Sequence, residues 1–512
     1  MDAFMLLIVL LMVMEKIILL NNLSTLIILL FNVFFILMFL FILGIDELDK
    51  LDELKFNKAI QYFHFILCFK LQTLCNDDYD DDIIMAYAWL GRAYDDKKEY
   101  DKAIKYYKKT LKIYLNKDKY NNVDVGTLYN NLGSICYYKK EYNKAIKYFK
   151  KDLRINSNNN NDLNIATSCG WLGLAYRGIG KYNKSLKYFE KALHIELKTF
   201  GICHTDVATS YSNLGMTYNK KGEHNKAIEY YNMSLNIRLD KTGYWHIDIG
   251  ALYNNLGSAY NSKGEYGKSI EYYKKALPIF LYRSKFEYNH YILIGLYSGL
   301  GLAYKDKGEY NNAIQYLKKS LDINLKTLAH DNPSISVAYN NLACLYKDKK
   351  KFNKAIEYYK KALKIVLKSD GHHRDISIYY NNLGQCYYIK KENVKAKKYF
   401  EKSLKIKLDT VGSDHISIAN SYINLSYIYC YEGQYNKALE IAKKALDLRL
   451  KKLDRNHPDV GAAYLALGDI YHEKFDIINA RKYYENSLSI YTQKLGTNHP
   501  KTKNVTATLQ KL

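Results

Sequence analysis

The sequence predicts an all-α chain, a right-handed α-solenoid of about ten helix–turn–helix repeats behind an N-terminal hydrophobic helix. Three observations carry that expectation. A short string, Asn-Leu-Gly with a Tyr three residues on, returns at a nearly constant interval. The apolar positions around it recur at helical spacing. The 512 residues are 48% hydrophobic yet hold only 4 prolines, a composition that excludes disordered and collagen-like chains and suits uninterrupted helices.

The first 45 residues differ from the rest. Leu23 to Leu43 is apolar apart from Ser24, Thr25 and Asn32, and at roughly 1.5 Å per residue it makes about 31 Å of helix, enough to cross a bilayer core. An earlier run, Ala3 to Leu20, is broken only by Glu15 and Lys16 and could form a second span, with Asn21 and Asn22 at the tip. Residues 1–45 are therefore expected to be a hydrophobic segment with a transmembrane helix at 23–43. Lys50, Lys55 and Lys58 behind it favour a cytoplasmic repeat region. A start wrongly assigned in AT-rich DNA and a signal peptide are the alternatives. No basic n-region or small-x-small cleavage site supports the last.

Residues 46–76 form a degenerate half repeat, in which Phe56 to Phe63 matches a second helix with no first helix before it. Ten repeats follow over 77–496. Their anchors are Gly91, Gly133, Gly173, Gly215, Gly257, Gly301, Ala343, Gly384, Ser426 and Gly468, at steps of 42, 40, 42, 42, 44, 42, 41, 42 and 42 residues. Eight before the anchor the residue is always aliphatic, from Ile83 to Val460. Four before, Tyr stands in nine repeats, with Cys169 the exception; one before is always Leu; three after is Tyr in nine, with Cys136 the exception. At 100° per residue these offsets share one side of a first helix. In a second helix, twelve after is Ala in eight repeats and Ser185 or Ser269 in two, and twenty after is Leu in all ten. The anchor and the small residue at twelve allow close helix approach. Seven after, Gly180, Gly222, Gly264, Gly308 and Gly433 suit a left-handed helix end. Residues 497–512 read as a truncated repeat or capping helix with Leu509 in register.

The copy number explains the 53 tyrosines, which fill repeated core positions rather than a cofactor or nucleic-acid platform. Cys136, Cys169, Cys344, Cys386 and Cys430 fall inside first helices without C-x-x-C spacing and read as small core residues of a reducing compartment. Two loops stand apart: the Asn-rich stretch 156–161, and Asp77, Asp78, Asp80, Asp81 and Asp82, which suit a helix N-terminus better than a cation site. Pro278 lies inside a second helix and is expected to bend it. His330, His457 and His499 precede connector prolines and are expected to serve helix starts; His372 and His373, beside Asp375, read as a solvated pair.

Leu-Gly-x-x-Tyr followed by Ala and an aromatic resembles the tetratricopeptide repeat. The 42-residue step and connectors such as Leu453-Asp-Arg-Asn-His457-Pro458-Asp-Val460 resemble the subtype of kinesin light chains and nephrocystin-like proteins. The resemblance covers residues 55–512. It implies a groove lined by the first helices, in which kinesin light chains use asparagines to hold cargo peptides. The heptad coiled coil that precedes the repeats in that family has no counterpart here.

Opposite the buried side of each first helix lie the offsets −6, −2, +1 and +5. At −2 stand Asn131, Asn213, Asn255, Asn341, Asn382 and Asn424, flanked by Asn130, Asn254, Asn340 and Asn381. An Asn side chain both donates and accepts, so a ladder of them can pair with the backbone of an extended peptide whatever its side chains. Packing between helices or AT-rich codon usage is the competing reading of these residues. The paired Lys and Arg of a carboxylate clamp are absent. No P-loop, G-x-S-x-G or H-E-x-x-H occurs, so neither an enzyme, a cofactor nor a small-molecule substrate is expected.

The formal net charge is +24; residues 1–45 contribute −1, so the remainder carries +25. Lysines recur at +11 (Lys102, Lys144, Lys184 and others) and at +18 (Lys109, Lys151, Lys191 and others), on the side of the second helix turned from the core. They are expected to form a solvated convex face. The expected function is a protein-interaction scaffold binding extended peptides in the groove, tethered to a membrane. A basic-surface binder of anionic lipid or RNA is the alternative, although scarce Arg and the lack of a nucleic-acid module speak against RNA.

Overall fold

The structure, a computed structural model, describes residues 48–73, 81–116, 122–283, 290–368 and 373–512. The expected span at 23–43 and the acidic residues Asp77, Asp78 and Asp80 lie outside them. Among the described residues no helix is long and apolar enough to cross a membrane.

All described elements are helices. A lone α1 (Leu48–Thr73) precedes ten pairs: α2 (Asp81–Asp96) with α3 (Tyr100–Asn116), α4 (Asn122–Tyr138) with α5 (Tyr142–Asn158), α6 (Asp162–Gly178) with α7 (Tyr182–Phe200), α8 (Thr205–Lys221) with α9 (His224–Thr242), α10 (Ile247–Lys263) with α11 (Tyr266–Arg283), α12 (His290–Asp306) with α13 (Tyr310–Thr327), α14 (Pro333–Asp348) with α15 (Phe352–Val366), α16 (His373–Ile389) with α17 (Asn393–Val411), α18 (Ser417–Tyr431) with α19 (Tyr435–Lys452), and α20 (Pro458–Glu473) with α21 (Ile477–Leu495). The short α22 (Pro500–Leu509) follows. Even-numbered helices are thus the first helices of the repeats. The chain divides into two compact units, Met1–Ile195 and Glu196–Leu512, and within each unit helices pack on their neighbours in sequence.

The anchor positions explain how closely the paired helices approach. A Cβ added to Gly133 would lie 2.5 Å from the Phe149 ring, and one added to Gly215 would lie 2.8 Å from the Tyr231 ring. At offset twelve the contact reaches the backbone: Ser185 and Ser269 each donate from Oγ to the carbonyl of their anchors, Gly173 and Gly257, at 2.7 Å. The invariant Leu before the anchor is fully buried, as at Leu132, Leu256 and Leu383.

Offset seven is left-handed in all ten repeats. Gly180, Gly222, Gly264, Gly308 and Gly433 have φ of 72–91°, as the sequence suggested. Lys98, Lys140, Lys350, Lys391 and Phe475 take the same conformation at 57–64°. The geometry is that of a Schellman end, in which the next amide returns to the carbonyl of the +3 residue, as Glu99 N to Tyr94 O at 2.8 Å and Asp476 N to Tyr471 O at 2.9 Å.

The connectors between repeats use side-chain caps. Nδ1 of His204, His246, His415, His457 and His499 accepts a backbone N–H two residues on, at 3.1–3.3 Å. The expectation for His457 and His499 therefore holds, but His330 is corrected: the cap of α14 is Asn332, whose Oδ1 accepts from Ser334 N at 2.9 Å. The shorter Asn side chain reaches the same amide directly before Pro333. Asp81 and Asp82 open α2 in its first turn, where carboxylates complement the helix dipole. Pro278 sits inside α11, which continues through it to Arg283. At the C-terminal end Val505 of α22 is buried, and Thr502 Oγ1 donates to Gly496 O at 2.8 Å.

Candidate functional site

Burial divides the first helices as the helical wheel does. Offset −6 is exposed at Thr127, Thr167 and Thr209, and +5 at Asp306, Asp348 and Ile389, whereas −2 and +1 are half-buried in most repeats, with Trp89 and Arg92 exposed and Ala466 buried. All ten expected asparagines are half-buried. Their surroundings differ. Asn130 turns toward the second helix of its repeat and donates from Nδ2 to Asp152 Oδ2 at 2.9 Å. Asn424 reaches back to the preceding repeat, its Nδ2 2.9 Å from Asn381 Oδ1. Asn213 is engaged locally, its carbonyl accepting from Thr217 Oγ1 at 2.8 Å. Asn340 Oδ1 lies 3.9 Å from Cys344 Sγ. Among the described residues the side-chain amides of Asn131, Asn254, Asn255, Asn341 and Asn382 make no hydrogen bond within the protein, which leaves their donors and acceptors to solvent.

Within the second unit the −2 ladder therefore runs Asn213, Asn255, Gly299, Asn341, Asn382, Asn424 and Ala466. In the first unit the same offset holds Trp89, Asn131 and Trp171, two aromatic positions not singled out by the sequence reasoning. Trp89 stacks on Phe63 with centroids 6.0 Å apart, and Trp171 stacks on Phe149 at 5.5 Å. Both reach back to the preceding second helix, so a −2 side chain roofs the junction between repeats.

A cavity of about 490 Å³ opens between the first helices α14, α16 and α18. Its wall includes Lys347, Gln385, Tyr388, Ile389, Asn424 and Tyr427. Lys347 Nζ donates to Gln385 Oε1 at 3.1 Å, and Tyr427 Oη donates to the buried Asp469 at 2.9 Å. Tyr388 and Ile389 are exposed on its rim. Apart from Asn424 at −2, these residues occupy offsets +1, +4 and +5. The helical wheel marks +1 and +5 on that face, where small polar residues such as Ser134 and Ser258 stand at +1 in other repeats, but it leaves out +4.

The second helices carry something the sequence reading did not foresee. The Tyr at +15 stacks on the Tyr at +3, as in Tyr94–Tyr106 at 5.6 Å and Tyr387–Tyr399 at 5.4 Å. Lysines lie over rings of this face: Lys226 5.2 Å from the Tyr218 centroid, Lys109 4.8 Å from the −4 ring Tyr87, and Lys437 4.2 Å from Tyr429, whose repeat has Ile441 at +15. Where Glu stands at +8, the +11 lysine also pairs with it and a second Lys approaches it from the turn; Glu392 is gripped by Lys390 and Lys395 at 2.7 Å each. Those two hydrogen bonds lower the Glu392 carboxyl to about 2. The lysines expected to be a merely solvated face are thus clasped to their own repeat by cation–π and ion-pair contacts.

Burial also moves several acids. It raises Asp95, on the first-helix face at +4, to about 6, and it raises Asp469. Cys169, Cys386 and Cys430 are free thiols pushed up to about 11 by burial. Among the described residues no cluster of His, Cys, Asp or Glu is grouped to hold a metal ion.

A tetratricopeptide repeat model matches residues 77–158, 162–240, 292–368, 375–451 and 417–493, and a second model of that repeat matches 250–279. No curated protein sequence matches the chain. Several solved structures are similar. The apo form of RapI is 17% identical over 73% of this chain and 99% of its own, with a TM-score of 0.53. BtubC (BKLC) from P. vanneervenii is 21% identical over 46% of this chain and 91% of its own, with a TM-score of 0.38. A Podospora anserina kinesin light chain with nearly identical repeats is 22% identical over 38% of this chain and 94% of its own, with a TM-score of 0.34. At such identities the likeness speaks to the fold.

Proposed function

We propose, from the premise that the chain belongs to the tetratricopeptide repeat family, that it is a non-enzymatic scaffold holding extended segments of partner proteins along its first helices. The observation that carries this reading is the set of half-buried amides at Asn254, Asn255, Asn341 and Asn382, which have no hydrogen-bond partner within the protein. A half-buried amide without an internal partner does little for the fold, whereas an extended strand of partner backbone offers one donor and one acceptor per residue. The cavity beside Asn424 supplies the second ingredient of peptide recognition, room for a side chain. Its mixed lining of Lys347, Gln385, Tyr388 and Ile389 suits an apolar anchor with polar neighbours.

Replacing Asn255 and Asn341 by Leu in the full chain is expected to weaken binding of a captured partner segment roughly a hundredfold, about tenfold per lost amide. The melting temperature should stay near the wild-type value, because neither amide bonds within the protein. Binding that survives both substitutions and collapses with added salt would instead place the contact on the lysine-bearing side.

A further inference from the structure

Among the described residues, the most exposed large apolar side chains are Phe475 at 87% and Val394 and Ile478 at 85% each. All three stand where the first helix of a repeat turns into the second. Val394 and Ile478 hold the same offset, ten after their anchors, and Phe475 holds the left-handed offset seven. Tyr431, 68% exposed, ends the first helix of the intervening repeat. The three turns are tied side by side: Lys397 Nζ bonds Glu432 Oε2 at 2.7 Å, and Lys474 Nζ donates to Asn436 Oδ1 at 3.3 Å. They form one edge of the second unit.

Folding does not account for this edge. The left-handed conformation at Phe475 disfavours any residue with a Cβ. The other nine repeats meet it with Gly, or with Lys, whose charged head keeps to water. Phe475 bears the same strain and leaves its ring in solvent, with no packing in return. The helix-end hydrogen bonds hold that conformation in all ten repeats, so it is the exposed ring that points to a role outside the fold. The edge is also basic. Residues 389–398, 430–437 and 472–479 contain seven lysines against four carboxylates. Lysines hold Glu392 and Glu432, and Asp476 caps α21 through Asn479, so Glu473 is the one carboxylate of the edge without such a partner. Lys391 has no side-chain partner among the described residues, and Lys474 hydrogen-bonds only the neutral Asn436 while its charge also acts on Asp476.

We propose that this edge docks on an anionic lipid bilayer. Phe475, Ile478 and Val394 enter the boundary between headgroups and acyl chains, and Lys391 and Lys474 meet the headgroup charge. The shape favours lipid over protein. Each of the three side chains is 85–87% exposed, so a protein partner would need a preformed pocket for each one, whereas a bilayer closes around them without one. The inference does not rest on the asparagine ladder or on the cavity, although the edge begins at Ile389, which also rims that cavity.

Hydrogen-exchange mass spectrometry on the full chain, with phosphatidylcholine vesicles with or without phosphatidylserine, tests it. Exchange over 388–397 and 472–480 is expected to slow with the anionic vesicles only. That protection should be lost in Phe475→Gly combined with Ile478→Ser. Glycine fits the left-handed position, so Phe475→Gly alone should not lower the melting temperature, which separates lost docking from lost folding. Lys391→Asn with Lys474→Asn should raise the anionic lipid concentration needed by about thirtyfold. Unchanged exchange with anionic vesicles overturns the proposal, as does protection that persists in the Phe475/Ile478 variant. Protection that grows with protein concentration in the absence of lipid also overturns it, assigning the edge to a contact between copies.

Discussion

Gly133→Val is expected to destabilise the chain by about 3 kcal/mol, the upper range for overpacking a tight core, measured as a shift in the denaturant midpoint. The new Cβ would sit 2.5 Å from Cε1 of Phe149, a ring with no exposed surface. The chain itself shows how the clash is relieved. Where the anchor is Ser426, the residue sixteen on is Ala442, while most other repeats place an aromatic ring there. Gly133→Ser with Phe149→Ala reproduces that pair. Its cost should fall short of the sum of the two single substitutions by about 1 kcal/mol or more, the mark of residues in direct contact. Additive costs would mean that the ring does not set the distance between α4 and α5.

Arg449→Ala is expected to cost about 3 kcal/mol, through loss of a buried, charge-assisted set of hydrogen bonds. Arg449 is 4% exposed; it donates to Asp459 O and to Asn420 Oδ1 at 2.6 Å each, joining α19 to the first helices on either side. Burial lowers the guanidinium's pKa, so the hydrogen bonds hold a charge that the interior resists. The same offset holds Phe280, Val366 and Tyr491 in other repeats. Arg449→Met should therefore cost less than Arg449→Ala, because an apolar chain of similar length fills the junction. Equal losses from both substitutions would show that the hydrogen bonds, not the filled volume, maintain the junction.

Repetition made the helices legible. A position held by Leu in ten copies, or by Ala in eight, reveals burial that no single repeat could, and the structure buries Leu132, Leu256 and Ala145 accordingly. Offset seven was legible only in part. Five glycines announced the left-handed turn, but Lys98, Lys140, Lys350, Lys391 and Phe475 adopt it too, because the Schellman hydrogen bonds of the helix end outweigh the local preference. The Tyr–Lys clasps stayed hidden because they join residues eight and more apart, such as Tyr218 and Lys226, across the turn between two helices, where a wheel of either helix alone cannot place them. The direction of the individual asparagines was equally hidden. Asn130 and Asn131 are neighbours in sequence, yet only Asn130 finds an internal partner, because Asp152 occupies a second-helix position that is small in every other repeat. The cavity between α14, α16 and α18 depends on how three first helices pack side by side, which no single repeat encodes.

Whether partners lie along the first helices can be read directly by placing a photo-crosslinking residue at Asn255 or Asn341 and, in parallel, at Lys268 or Lys361 of the second helices, each in the full chain bound to a captured partner segment. The proposed function requires adducts at 255 and 341 and none at 268 and 361. Adducts confined to 268 and 361 would contradict it and move the binding surface to the lysine-bearing side.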